Sequence, residues 1–376
     1  MDSKKRLTDL LKRLISFQSI SPGCGGAILF LAEYLKGFGF DTHIINSGGL
    51  LNLIATTNPI SKNIDICFSG HIDVVDPGDL KSWQFDPFVG TVDDDKIYGR
   101  GVVDMKGAIA CFIIAVIDKK LFAPNNTTNI GIIITSDEEH DSQNGIVPVL
   151  QHIKKNGYKI KRCIVGEPTC KEFVGDTIKI GRRGSVNFVV KVIGKQGHVA
   201  YPHNAKNPIS FAAERLNKLI QCKLDFGSKD FEPSNCEITN IEVNNQFCNV
   251  IPKKLEIKLN IRFNNNHNVD SLKSFLNQIF YSSVYNCSIE CIPHYSEPFV
   301  VNDKDFVDEF SCSVKKITGF SPSTSTGGGT SDARFLKDFT NVIEFGLVNS
   351  TAHCVNENAC IDDMIKLQKI YSCFLP

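Results

Sequence analysis

The chain contains 376 residues, and its 41 lysines and arginines balance its 41 aspartates and glutamates, which gives a formal net charge of zero at pH 7. This balance provides no overall field to concentrate nucleic acid or an anionic membrane surface, so a small-molecule partner is favoured. The longest apolar run, Ala108 to Ile117, is too short to span a membrane. The 14 cysteines are scattered without a Cys-x-x-Cys pair, and no secretory leader is recognisable, so we expect reduced thiols and a cytoplasmic location.

The first half of the chain alternates helical and strand patterns. Apolar residues recur at helical spacing from Leu7 to Ile15 and again from Ile28 to Leu35, so two amphipathic helices are predicted to open the fold. The short apolar runs 64–68, 130–135 and 162–165 predict buried strands, and helical segments lie between them near 105–117 and 146–155. Such alternation predicts an α/β sheet covered by helices on both faces. Ligands in these sheets bind beyond the carboxyl ends of the strands.

The pattern changes after Thr177. Apolar residues alternate with period two over 185–193 and 255–262, and helical stretches intervene near 208–219 and 269–280, which indicates a small α+β insert. After about Pro293 the chain returns to helix, loop and strand patterns. We therefore predict one domain built from residues 1–178 and 294–376, with residues 179–293 inserted into it.

Side chains that bind metals follow several of the predicted strands or lie in loops. Two adjacent acids come after one strand and a His-x-Asp sequence after another, and adjacent carboxylates without a cation would repel each other. Imidazole and carboxylate without thiolate suit a catalytic zinc site, and a bridging carboxylate would allow two ions. The residues of this predicted metal site are His71, Asp73, Asp104, Glu138, Glu139, Glu167 and His353.

Nine stretches, which run in order from the first to the last of these residues, carry a family resemblance. They are SGHIDVVDPGD, YGRGVVDMKG, TSDEEH, VGEPT, GRRGSV, GKQGHVAYPHNAKNP, NVIP, GGGTSDARF and NSTAHCVNE. Together they resemble the motifs of the di-zinc aminoacylase and carboxypeptidase G family, and within it the branch that hydrolyses N-succinyl-LL-2,6-diaminopimelate for lysine and cell-wall precursor biosynthesis. The resemblance implies a zinc-exopeptidase-like three-layer α/β catalytic domain with an inserted ferredoxin-like α+β domain that forms a homodimer.

The resemblance also implies a set of metal-site roles. Asp104 would bridge two Zn²⁺ ions per subunit, with Co²⁺ as an alternative occupant of one site. His71 and Glu167 would complete one site, and Glu139 and His353 the other. The peptide bond after Asp104 would be cis. Asp73 would accept a hydrogen bond from the far nitrogen of His71 and fix its tautomer.

Catalytic and substrate-binding roles follow from the same resemblance. Glu138 would act first as general base and then as general acid, and His198 would reach across the dimer to stabilise the developing oxyanion in the partner's site. A substrate with several carboxylates calls for bidentate arginine, for which Arg182 and Arg262 are the candidates. The other implied pocket residues are Ser185, Tyr201, Asn249, Gly328, Gly329 and Asn349.

Three alternatives remain open at this point. An acetylornithine deacetylase would share the metal ligands and the fold, although GRRGS and HVAYPH favour desuccinylation. A dipeptidase would need a pocket adapted to a free α-amine, which the two candidate arginines speak against. A non-catalytic binding homologue would be expected to have lost a ligand or the base, whereas the five ligands and the base Glu138 are all present.

Overall fold

The computed structural model describes residues 3–122, 128–293 and 295–376. The chain divides into two compact units. Unit 1 contains Met1–Gly181, Val301–Ser325 and Ser331–Pro376, and unit 2 contains Arg182–Val300 and Thr326–Thr330. Within the described ranges, none of the helices is both long and apolar enough to cross a membrane.

The helices of the described residues are numbered in chain order. They are α1 (Ser3–Ile15), α2 (Ala27–Gly37), α3 (Gly107–Phe122), α4 (Ile146–Lys155), α5 (Pro208–Gln221), α6 (Val269–Ile279), α7 (Lys304–Thr318), α8 (Ala333–Leu336) and α9 (Ile361–Phe374).

The strands are numbered in the same way. They are β1 (Asp41–Ser47), β2 (Leu50–Thr56), β3 (Asn63–His71), β4 (Thr91–Asp93), β5 (Lys96–Tyr98), β6 (Ile130–Thr135), β7 (Lys159–Val165), β8 (Thr177–Lys179), β9 (Gly181–Arg182), β10 (Gly184–Ile193), β11 (Gly197–His198), β12 (Asn235–Glu242), β13 (Val250–Ile251), β14 (Lys254–Phe263), β15 (Asn286–Cys291), β16 (Phe299–Val300), β17 (Ser323–Ser325), β18 (Asn341–Glu344) and β19 (Asn358–Cys360).

Unit 1 is built on a mixed eight-stranded sheet with the order β1-β2-β6-β3-β7-β18-β8-β17. The central strands β6, β3, β7 and β18 run parallel to one another. Every residue of β6 is buried, as expected for a parallel strand covered on both faces, and its Ile-Gly-Ile-Ile-Ile sequence supplies the β-branched residues that favour such a strand. The predicted α/β class is therefore confirmed.

Helices cover both faces of this sheet. On one face α1, α2, α3, α7 and α9 share a core with alternate strand residues, such as Ile132 and Ile134 of β6. On the other face α4 contacts β1 and β2, and Ile133 points to that side because successive strand residues alternate. The rings of Phe68 and Phe112 stack with centroids 4.5 Å apart in the first of these layers. Their burial fixes α3 against the strand that ends at the candidate site.

Unit 2 is a four-stranded antiparallel sheet with the order β12-β14-β10-β15. The inward residues of β10 and β14 alternate with outward ones, which is the period-two pattern of a sheet with one buried face. Helices α5 and α6 contribute Phe211, Leu216, Leu272 and Leu276 to the core on that face. The observed insert is thus an antiparallel sheet backed by two helices, as the sequence predicts.

Candidate active site

Three of the candidate metal ligands stand at one edge of the eight-stranded sheet. Strand β3 ends at His71, and it lies between β6 and β7, both of which run parallel to it. Glu138 and Glu139 follow the end of β6, and Glu167 follows the end of β7. Because the carboxyl ends of neighbouring parallel strands meet at the same edge, these polar side chains are brought together.

Loops bring the two remaining ligands to this edge. Asp104 precedes α3 in a segment with non-helical backbone angles, and its peptide bond to Met105 is cis, as the resemblance implies. His353 has a φ of 61°, a left-handed conformation that is uncommon outside glycine and is concentrated at functional sites. Both residues therefore depend on loop conformation, whereas the strand-end residues depend on the sheet.

The structure gathers the five predicted ligands into two groups that share Asp104. His71, Asp104 and Glu167 form one group, and Asp104, Glu139 and His353 form the other, with donor atoms within 4.8 Å of one another in each. His71 Nε2 lies 3.1 Å from Asp104 Oδ1, and His353 Nε2 lies 3.2 Å from Asp104 Oδ2. The two oxygens of one carboxylate thus face two separate imidazoles, which is the arrangement expected of a bridging ligand.

The balance of charge in this cluster favours cations. Asp104 and Glu139 accept hydrogen bonds from His353, and these bonds raise its pKa to about 10 against the opposing effect of burial. Burial alone would lower the pKa of His71, but the hydrogen bond to Asp104 and the charge of Glu138 raise it well above its usual value. In both cases the neighbouring carboxylates stabilise positive charge at the imidazoles, and they would stabilise bound metal ions in the same way.

Glu138 lies beside these groups in an environment that suits proton transfer. Burial raises its pKa well above the usual value, and the charges of Glu167 and Asp332 add to this effect, while His71 opposes it. A carboxyl group with a raised pKa can both accept and return a proton near neutral pH. Glu138 is thus a further carboxylate beside the two donor groups, with an oxygen within 4.8 Å of donor atoms of His71 and Glu139.

The structure corrects one detail of the predicted site. The nitrogen Nδ1 of His71 is 2.8 Å from the backbone carbonyl of Asp73, not from its carboxylate, whose nearer oxygen is 3.7 Å away. The carboxylate is turned away because it accepts hydrogen bonds from the backbone N–H groups of Glu138 and Glu139 and from the hydroxyl of Ser21. Asp73 therefore orients the acid pair through its side chain and the imidazole through its backbone.

Two buried charged residues near the site have no role predicted from the sequence. Arg100 and Glu357 form an ion pair of 2.8 Å and are almost completely buried. Glu357 also accepts hydrogen bonds from the backbone of the segment that leads to Asp104. The only signal in the sequence was that the two residues belong to the YGRG and VNE parts of the family motifs.

The candidate substrate residues of unit 2 fall into two groups, one of which surrounds Arg182. This side chain is buried and donates a hydrogen bond to the carbonyl of Gly329. Gly328 next to it has a φ of 97°, which glycine adopts without strain. Ser185 and Arg262 are direct partners across β10 and β14, so their side chains share one face of the sheet.

The second group lies on the short ribbon formed by β11 and β13. His198 is paired with Val250, and the N–H of Val199 donates a hydrogen bond of 3.1 Å to the carbonyl of Asn249. The rings of His198 and Tyr201 are 5.7 Å apart. His198 is exposed, and its Nδ1 accepts a hydrogen bond from the N–H of Ala200. In the neutral imidazole this leaves Nε2 as the donor.

Asn349, the remaining candidate, belongs to unit 1. It begins a single 3₁₀ turn, Asn349–Thr351, shortly before His353. Its backbone N–H donates to the carbonyl of Cys170, and its side chain is exposed. The amide is thus exposed on the loop that carries the candidate ligand His353.

Comparison with known proteins places these features in a family. A model described as Peptidase family M20/M25/M40 matches residues 67–376. A succinyl-diaminopimelate desuccinylase of Ehrlichia chaffeensis is 45% identical over 97% of this chain and 96% of its own length, and one of Orientia tsutsugamushi is 43% identical over 99% and 96%. A crystal structure of an M20 family metallo-carboxypeptidase from Sulfolobus solfataricus superposes with a TM-score of 0.77 at 20% identity, covering 100% of this chain and 99% of that one. The chain therefore belongs to peptidase family M20/M25/M40.

Proposed function

We propose that this chain is a metal-dependent hydrolase that cleaves the amide bond of N-succinyl-LL-2,6-diaminopimelate to yield succinate and LL-2,6-diaminopimelate. The observation that carries the proposal is its 43–45% identity, over nearly the whole chain, to relatives named as desuccinylases. The donor groups at the sheet edge support hydrolysis. This reaction belongs to lysine and cell-wall precursor biosynthesis.

Two Zn²⁺ ions fit the donor set, with Co²⁺ as an alternative in one site. Each group contains one imidazole and two carboxylates, counting Asp104 in both, and three protein ligands are typical of catalytic zinc sites. When bound, the pair of ions polarises the amide carbonyl and lowers the pKa of water towards neutrality. His71, Glu167, Glu139 and His353 would hold the ions, and Asp104 would contribute to both sites.

Glu138 moves the proton in this reaction. Its carboxylate accepts a proton from the attacking water at one oxygen and delivers it to the departing amine nitrogen. Asp73 keeps the Glu138 carboxylate in place because the Asp73 side chain accepts hydrogen bonds from the backbone N–H groups of Glu138 and Glu139. One side chain thus serves both halves of the reaction while the ligands stay fixed.

Arginine, hydroxyl, amide and backbone groups recognise the substrate. Arg182 and Arg262 pair with its carboxylates, supported by Ser185, and backbone groups of Gly328 and Gly329 approach it closely. Further polar contacts come from Tyr201, Asn249 and Asn349.

His198 acts in the partner's site of a homodimer. Its exposed ring and its Nε2 donor suit an oxyanion contact across the dimer, which is worth a large share of catalysis in acyl-transfer enzymes. If His198→Ala chains are mixed with chains that lack a metal ligand, the mixed dimer should regain part of the activity, since one of its sites is then complete. Activity that is simply the sum of the two separate variants would contradict this role.

The cytoplasm is the proposed location. All 14 cysteines are unpaired, and several of them are buried in the core, which suits a reducing compartment.

The substrate assignment is tested by offering three acylated amines to the zinc-loaded protein. N-succinyl-LL-2,6-diaminopimelate should be hydrolysed with the highest kcat/KM, and N-acetylornithine and a dipeptide should be poor substrates. Arg182→Lys keeps the charge but loses the planar fork, and it should raise KM for the succinylated substrate. Turnover of N-acetylornithine alone would overturn the assignment in favour of a deacetylase.

A further inference from the structure

The carboxylate of Glu357 is fully buried and is surrounded by N–H donors. Its Oε2 accepts from Arg100 at 2.8 Å and from the backbone of Gly101 at 2.9 Å. Its Oε1 accepts from the backbone of Val103 at 2.8 Å and, more weakly, from that of Asp104 at 3.3 Å. One carboxylate therefore accepts three backbone N–H groups of the segment that ends at Asp104, those of Gly101, Val103 and Asp104 itself.

The guanidinium of Arg100 reaches two further segments. It donates to the carbonyl of Cys354 at 3.1 Å, and it lies 3.5 Å from the carbonyl of Asp76, which is long for a hydrogen bond. Its other face lies 5.2 Å from the ring of Trp83, whose indole N–H is bonded to the carbonyl of Pro77. The guanidinium is thus held in place by contacts other than its ion pair with Glu357.

The segments held in this way are those that carry metal ligands. Cys354 follows His353 directly, and Asp104 ends the segment that Glu357 holds. Neither of these ligands comes from a strand of the eight-stranded sheet. The pairing of β5 with β19 and the hydrogen bond of 3.0 Å from the N–H of Gly99 to the carbonyl of Glu357 join the two segments through their backbones. The pair of Arg100 and Glu357 extends this connection to the residues next to His353 and to Asp104.

We propose that Arg100 and Glu357 are positioning residues for the metal site, which set the separation of Asp104 and His353. The inference rests on the proposed function in that the occupants are divalent cations. The group of Asp104, Glu139 and His353 has two of its three donors attached to this pair, whereas the group of His71, Asp104 and Glu167 has one. Loss of the pair should therefore weaken the first group more than the second.

A purely structural role is the competing explanation, because buried ion pairs are common and need not stabilise a protein. The chain offers a matched control in the same unit. Asp303 accepts from Arg162 at 2.8 and 3.1 Å and from the backbone N–H of Phe306 at 2.9 Å. This carboxylate likewise joins a guanidinium to a backbone segment, but Arg162 lies within the regular strand β7, and the pair contacts neither of the loops that carry Asp104 and His353.

The test is a Co²⁺ titration of metal-free protein, followed by the visible absorbance of the bound ion, with metal content measured after dialysis. Wild-type protein and Asp303→Asn should each bind two ions per chain, and the two affinities of the variant should equal those of the wild type. Glu357→Gln keeps the shape of the side chain but cannot accept from all of its donors. It should bind one ion about 10–100-fold more weakly, as is usual when groups that support metal ligands are changed, and affect the other ion less. Arg100→Lys should show the same unequal loss and serves if Glu357→Gln does not fold.

The outcomes separate this inference from the proposed function. If the wild type binds two ions and both variants of the pair bind them with unchanged affinity, the positioning role is wrong and the function stands. An equal loss of affinity at both sites, or an equal loss of affinity in Asp303→Asn, would show that the pair of Arg100 and Glu357 only stabilises the fold. Either result would overturn the inference. If the wild type binds no ion, both proposals fall together.

Discussion

Replacement of Asp73 by asparagine probes the residue on which the geometry of the acid pair depends. The carboxylate accepts three hydrogen bonds: Glu138 N–H at 3.3 Å on Oδ1, and Glu139 N–H at 3.0 Å and the Ser21 hydroxyl at 2.7 Å on Oδ2. Asparagine has the same shape but only one acceptor oxygen. That oxygen can retain the two bonds to Oδ2, which leaves the N–H of Glu138 facing an amide that also donates.

Three effects then contribute to the change in stability, two of them unfavourable and one favourable. A buried donor without a partner costs about 1–3 kcal/mol, and the two retained bonds weaken because their acceptor is no longer charged. Against this, burial raises the pKa of Asp73, with the charge of His71 and the hydrogen bond from Ser21 opposing, so removal of the charge also removes a desolvation cost. The weakening of the two retained bonds and the removal of the desolvation cost have opposite signs and largely offset each other. The unpaired N–H of Glu138 therefore determines the net change in stability. We expect Asp73→Asn to lower the free energy of unfolding by about 1–3 kcal/mol.

The assay is urea unfolding of the metal-free protein, which isolates this effect from metal binding, together with kcat of the zinc-loaded enzyme. We expect kcat to fall by about 10–100-fold, because Glu138 and Glu139 lose their alignment. Ser21→Ala is the control, since it removes one of the three donors without leaving a backbone group unpaired. The reasoning would be refuted by unchanged unfolding and unchanged kcat, or by an equally large effect of Ser21→Ala.

Three further predictions concern other parts of the molecule. Glu138→Gln should lower kcat by about 10²–10⁴-fold, because no group is left to move the proton, while the metal content stays at that of the wild type; an unchanged kcat would remove Glu138 from this role. The ion pair with Arg162 lowers the pKa of Asp303, so its stabilising effect should be present at pH 7 and be lost as the pH falls below about 4. Urea unfolding of wild type and Asp303→Asn should therefore differ at pH 7 and converge in acid, and a difference independent of pH would contradict the assignment. Tyr371→Phe removes the hydrogen bond to the carbonyl of Phe345 and should cost about 1–3 kcal/mol of stability with kcat unchanged; equal stability of the two proteins would show that the carbonyl finds another partner.

The sequence predicted those elements that are defined by local hydrophobic pattern. Strand β6 and helix α4 have the predicted bounds, Ile130–Thr135 and Ile146–Lys155, because an all-apolar run and a helical repeat each end at clear polar residues. Strand β3 extends past the predicted end at Phe68 to His71. Its last residues are polar yet buried, and a pattern of apolar residues cannot reveal polar residues that lie inside the sheet.

Other features depend on contacts that no local pattern encodes. The helix predicted from Met105 begins at Gly107, because the backbone at Asp104 and Met105 is not helical. Arg100 and Glu357 are 257 positions apart in the chain, and charged residues are normally expected at the surface. Only the folded structure reveals that they meet in the interior. The family motifs contained both residues, but the motifs alone gave no physical reason for either.

The central claim is that five side chains from separate strands and loops hold two divalent ions that the hydrolysis requires. Elemental analysis of purified, active protein, combined with an assay on N-succinyl-LL-2,6-diaminopimelate before and after chelation, tests it most directly. We expect two transition-metal ions per chain, loss of hydrolysis when a chelator removes them, and recovery when Zn²⁺ is restored. Full hydrolytic activity in protein that contains no bound divalent ion would contradict the claim.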